Sequence, residues 1–144
     1  MNLLGVLELS GSALKAERLR AEVVAANLAN AETTRTAEGG PYRRQQLVFS
    51  ASRSIRTGGF AGALSDAGVQ GVQVSGPVAD PTPPVMRYEP GHPDADANGM
   101  VAYPAINPVA EMVDLMGAAR AYQLNSAAVQ TTKNMIVASL EILK

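Results

Sequence analysis

All nine prolines of this 144-residue chain lie between Pro41 and Pro108. Proline fixes φ and removes a backbone donor, so the interior of a long helix excludes it. The two ends can therefore be long helices, and the middle cannot. Each flank also repeats an apolar residue every seven positions. Leu7, Leu14, Ala21 and Leu28 form one stripe, and Leu115, Tyr122, Val129, Ile136 and Leu143 form the other. A strict seven-residue repeat keeps one seam turned toward a partner helix. The predicted fold is mainly α, with long N- and C-terminal helices paired as an antiparallel coiled coil. A small β-rich or irregular insert lies between them. Residues 1–33 form the N-terminal helix of the coiled-coil core, 34–106 an extended linker and the insert, and 107–144 the C-terminal helix.

Composition removes several function classes. The formal net charge is −1, so no basic field points to nucleic acid. Cysteine and tryptophan are absent and histidine occurs once. Thiolate chemistry is thereby excluded, and acid–base or metal catalysis has few residues to work with. No Gly-rich phosphate loop, zinc spacing or serine triad is visible. The expectation is a protein that is not an enzyme, with no cofactor and no small-molecule substrate. The apolar start (Leu3, Leu4, Val6, Leu7, Leu9) lacks a positive n-region and is interrupted by Glu8, so no cleaved signal peptide is expected. No run approaches the ~20 apolar residues of a membrane span.

The insert reads as short strands at Tyr42–Phe49, around Val72 and Val74, and at Met86–Tyr88 before Pro90. Ser50–Asp66 reads as a mobile loop, and Pro77–Pro84 as a break in the second strand. Arg43 and Arg44 read as a pair of surface charges. Asn27 and Asn30 sit where a helix should end or make specific polar contacts, because asparagine competes for backbone groups inside a helix. Asn107 is a preferred N-cap and Pro108 a preferred first helical residue. The C-terminal helix has small or polar residues at its facing positions, namely Ala118, Asn125, Thr132 and Ser139, and its small residues Ala118, Ala121 and Ala128 permit close helix–helix approach. Its outer surface is poor in charge, which suits a helix that meets neighbours on several sides.

One string invites a metal reading. Asp94, Asp96, Asn98 and Gly99 match the first half of a calcium-binding EF-hand loop, but the twelfth position is Ala105 where a bidentate Glu is needed. A small secreted calcium-binding module using Asp94, Asp96 and Asn98 is the alternative function. The favoured reading makes Gly91, His92, Pro93, Asp94, Asp96, Asn98 and Gly99 a structural connector. There Asp and Asn side chains bond their own backbone and the glycines allow unusual dihedrals.

Several strings in order carry a family resemblance. Val24-Ala25-Ala26-Asn27-Leu28-Ala29-Asn30-Ala31 is followed by Thr33-Thr34-Arg35-Thr36 and by Gly39-Gly40-Pro41-Tyr42-Arg43-Arg44-Gln45. Gly91 to Gly99 then runs through Val101 and Pro104 to Asn107. The last are Glu111-Met112-Val113, Ala119-Arg120-Ala121-Tyr122-Gln123 and Asn125. Together they resemble the bacterial flagellar basal-body rod proteins, most closely those of the proximal rod. The resemblance implies a structural subunit of a tubular drive shaft around the export channel. It would polymerise through its terminal helices with copies of itself and other rod subunits. It implies export through the flagellar type III apparatus and a place in the basal body, in the periplasm. It makes Leu7, Leu14, Ala21, Asn27, Leu28, Asn30, Leu115, Ala118, Ala121, Tyr122, Asn125, Ala128, Val129, Ile136 and Leu143 the expected assembly residues.

Overall fold

The structure is a computed structural model that describes residues 3–51 and 71–141. Helix α1 spans Leu3–Ala29 and helix α2 spans Pro108–Glu141. Between them lie β1 (Gln45–Ala51), β2 (Val72–Ala79), β3 (Val85–Tyr88) and β4 (Met100–Tyr103). The strands form two two-stranded sheets, β1 with β2 and β3 with β4. No helix among the described residues is long and apolar enough to cross a membrane.

The helix boundaries follow the expected local chemistry. Asn107 Oδ1 accepts from the Val109 and Ala110 N–H groups at 3.0 and 3.3 Å, capping α2 where Pro108 begins it. At the end of α1, Asn30 Nδ2 donates back to the Ala26 carbonyl at 2.9 Å, and the chain leaves the helix there.

Three strand expectations change. The first strand starts at Gln45 rather than Tyr42, because the Tyr42 N–H donates to the Thr33 carbonyl at 3.0 Å, outside either sheet. The second runs through Pro77 to Ala79 without a break. In a two-stranded sheet each strand keeps an open side, so an imide nitrogen facing outward removes no ladder bond. β4 was not expected; it pairs antiparallel with β3 in the register Val85↔Tyr103 to Tyr88↔Met100. The expected loop at Ser50–Asp66 contributes Ser50 and Ala51 to β1, and its remainder lies outside the described residues.

The chain divides into two compact units. One comprises residues 1–19, 49–75 and 118–144. Its buried side chains include Ser10, Ala16, Ala118 and Thr132, all small. Thr132 Oγ1 donates to the Ala128 carbonyl at 2.9 Å, so its hydroxyl is satisfied while buried. In the same unit the Val72 N–H donates to Ser12 Oγ at 3.0 Å, beside Gly71, where a Cβ would lie 3.2 Å from that oxygen. The other unit comprises residues 20–48 and 76–117. It buries Val24, Val101 and Tyr103, and with them the polar Asn27 and Glu111.

The apolar heptad stripes are not the most buried lines of the helices. Leu7, Leu14, Ala21 and Leu28 are half-buried, as are Leu115, Val129 and Ile136, and Tyr122 is exposed. Leu143 lies outside the described residues. On α2 the buried positions are Glu111, Ala118 and Thr132, with Asn125 half-buried on the same seven-residue line. Small side chains on this line allow close backbone approach, and the larger stripe residues flank it.

Candidate functional site

The larger polar cluster joins the end of α1 to the start of α2, within the second unit. Asn27 is at its centre and is only 1% exposed. Its carboxamide oxygen accepts from the Gln45 N–H at 2.8 Å and the Tyr42 hydroxyl at 3.2 Å. Its Nδ2 donates to the Gln45 carbonyl at 2.9 Å and to Glu111 Oε2 at 3.2 Å. Both amide hydrogens and both lone pairs of this side chain are thus used. The amide meets both backbone groups of Gln45, much as a neighbouring strand would, and so fixes where β1 begins.

Glu111, also 1% exposed, takes its charge partner from the linker. Arg44 Nε donates to Glu111 Oε1 at 2.6 Å. The same guanidinium reaches Asp80 Oδ2 at 3.7 Å and Asp114 Oδ2 at 4.0 Å, and Arg20 Nη2 meets Asp114 Oδ1 at 3.2 Å. A buried carboxylate is tolerable only when paired and hydrogen-bonded, and Glu111 is both. Going along α1 from Arg20 to Asn27, the partners on α2 run backward from Asp114 to Glu111. In this unit the two helices are therefore antiparallel. Burial and the nearby Glu111 charge both raise the Tyr42 phenol above its ordinary value.

The second cluster is the connector from Gly91 to Gly99. Asp96 Oδ1 accepts from the Asn98 N–H at 2.7 Å and the Met100 N–H at 2.9 Å. Those backbone bonds, Met100's first, hold the Asp96 carboxyl below its ordinary range. Asp94 Oδ2 accepts from the Thr34 hydroxyl at 2.7 Å, and its other oxygen lies 3.5 Å from Arg35 Nη1. His92 Nδ1 accepts from the Asp94 N–H at 3.1 Å, and the His92 ring meets Tyr103 edge-on at 6.3 Å. Arg87 lies 4.6 Å over the same Tyr103 ring, whose hydroxyl donates to Glu89 at 2.9 Å. Gly99 has φ +75°. A Cβ there would come within 3.0 Å of the Tyr88 ring and 3.1 Å of Pro90 Cβ. The carboxylates that suggested a calcium loop are thus engaged in holding this turn and tying it to Thr34 and Arg35.

Two segments match models of protein families. Residues 7–35 match the flagella basal body rod protein family, and 97–142 match the C-terminal family of flagellar basal body rod FlgEFG proteins. The chain is 38% identical to the flagellar basal-body rod protein FlgC of Borreliella burgdorferi, over 100% of this chain and 99% of that protein. It is 38% identical to the FlgC of Salmonella typhimurium, over 99% of this chain and 98% of the other. For the FlgC of Bacillus subtilis the identity is 40%, over 96% of each. The chain belongs to the flagellar basal-body rod protein family.

Each rod-family segment supplies one half of the central contact: Asn27 lies in the first and Glu111 in the second. Arg44 and Asp80 lie in neither, so the insert completes a junction that the two helical segments begin. Sequence reasoning placed Asn27 correctly as a residue with specific polar contacts. It missed Glu111, and it took Arg44 for a surface charge. A carboxylate at the fourth position of a charge-poor helix, with arginine in the linker, was the available signal. Of the remaining expected residues, Asn30 closes α1 and Asn125 Nδ2 bonds the Ala121 carbonyl at 2.9 Å.

Proposed function

We propose that this protein is a structural subunit of the flagellar basal-body rod, of the proximal-rod kind. It polymerises through its terminal helices with copies of itself and with other rod subunits. In this reading the helices pair along their length as an antiparallel coiled coil and line a tube around the export channel. The insert forms the outer wall. The subunit passes through the flagellar type III apparatus and works in the periplasm as a part that carries torque. It has no catalytic role.

The observation that carries this reading is the exposed face of α2 near its start. Val109, Met112, Val113 and Met116 are 69%, 50%, 57% and 62% exposed. Their spacing of three, four and seven puts them on one helical face, away from buried Glu111. A contiguous apolar helix face left in water marks a surface that another chain covers. Full-length similarity to proteins named as basal-body rod proteins supports the same reading. The antiparallel contacts Arg20–Asp114 and Asn27–Glu111 support the helix pairing.

The test is Met112→Glu combined with Met116→Glu. The double variant should fold and be exported, yet fail to enter rods. Incorporation at the level of the unchanged protein would refute this assembly face.

A further inference from the structure

We propose that Asn98 is a site of spontaneous amide loss, converting to isoaspartate at a rate set by the hold of Asp96 on the connector. Asn98 is exposed and precedes Gly99. It is the one asparagine in the chain followed by glycine. Exposed asparagine amides are among the thermolabile groups of proteins. A following glycine has no Cβ to obstruct attack by its own nitrogen. The other described asparagines are placed differently. Asn27 is buried and fully bonded, Asn30 and Asn125 donate back to helix carbonyls, Asn107 precedes a proline that has no N–H, and Asn134 lies within α2, its Oδ1 accepting from Gln130 Nε2 at 3.1 Å.

The chemistry closes on this chain and water alone. The Gly99 backbone nitrogen attacks Asn98 Cγ and a new C–N bond forms. The Cγ–Nδ2 bond breaks, and Nδ2 leaves as ammonia, the Gly99 nitrogen losing its proton. Water then opens the cyclic imide at either carbonyl, giving aspartate or isoaspartate. Isoaspartate routes the main chain through the side-chain carbon and lengthens it by a methylene. That lengthening falls beside the Gly99 carbonyl, which accepts the Glu89 N–H at 2.8 Å and closes the β3–β4 hairpin.

The attacking nitrogen is held in the closed turn. The Gly99 N–H donates to the Asp96 carbonyl at 3.0 Å. The Asp96 carboxylate holds the Asn98 and Met100 N–H groups on either side. The turn must open before Gly99 can reach Cγ, and Asp96 opposes that opening.

The experiment incubates the full-length protein, Asp96→Asn and Asp96→Ala in mildly alkaline buffer. Peptide mass mapping follows each asparagine, with isoaspartate detection at residue 98. Asn98 should convert first in the unchanged protein. The Asp96→Ala rate should be severalfold higher, with Asp96→Asn between, since its carbonyl oxygen still accepts. Asn125 in the same samples reports unfolding, which would accelerate both sites together. An Asn98 amide that outlasts Asn125, equal Asn98 rates in the three proteins, or acceleration shared with Asn125 would overturn the proposal.

Discussion

Asn27 and Glu111 are 84 residues apart in the chain, and the amide of one donates to the carboxylate of the other at 3.2 Å in a site closed to water. The contact joins the last turns of α1 to the first turn of α2, and Arg44 neutralises it from the linker. Removing one partner of a buried charged pair costs about 3–5 kcal/mol, because the other is left uncompensated. Glu111→Ala should therefore destabilise the subunit by about 3 kcal/mol, less than the full range because Arg44 is partly exposed and keeps Asp80 and Asp114 nearby. Glu111→Gln keeps an acceptor for Asn27 and should cost less. Urea unfolding of the two variants checks the order.

Gly99→Val should weaken the β3–β4 hairpin for two separate reasons. A β-branched residue at φ +75° is strained by about 1–3 kcal/mol. Its Cβ would also meet the Tyr88 ring and Pro90. Gly99→Ala should suffer less, and Gly91→Ala, where a Cβ meets nothing within 4 Å, should be close to neutral. Thermal unfolding of the three variants checks this order.

The Asp96 clamp makes the connector sensitive to acid. The folded-state carboxyl is held below its ordinary value, so the unfolded chain binds its proton first as pH falls. Its contribution is complete above the unfolded value of about 3.9 and is lost as pH drops through the lower folded value. Asp80, lowered chiefly by the Thr82 hydroxyl and N–H, acts in the same direction. Protection of the Asn98 and Met100 amides, taken relative to their intrinsic exchange rates, should hold above about pH 4 and fall at lower pH, and Asp96→Ala should remove the step.

The helices and their caps were readable because they rest on local chemistry: the proline-free flanks, Asn107 with Pro108, and Asn30 at an end. The seven-residue repeat gave the period of the buried line but not its centre. Apolar stripe residues such as Leu115 and Val129 stop half-buried, and Ala118 and Thr132 go fully inside, because close approach depends on size as much as on polarity. Arg44 and Glu111 were not readable as partners, since their contact spans a linker whose path no local rule sets. β4 was missed for the same reason: four residues gain strand structure only from β3.

Order should differ along α2 in the free subunit. The first turns are tied by Asn27, Arg44 and Arg20, whereas between Lys133 and Glu141 only Ile136 is half-buried. Segments with little buried surface open locally at low cost. Amides from 133 to 141 should exchange markedly faster than those from 112 to 118 in dilute monomer and become protected on assembly. Uniform protection along α2 in the monomer would contradict this.

The most direct test of a rod subunit that assembles through an exposed helix face is imaging of purified basal bodies from a strain lacking this protein. The strain is complemented with either the unchanged chain or the Met112→Glu, Met116→Glu variant. The unchanged chain should restore rods. The variant, exported at a normal level, should leave basal bodies that end at the membrane ring. Complete rods containing the variant would contradict the account.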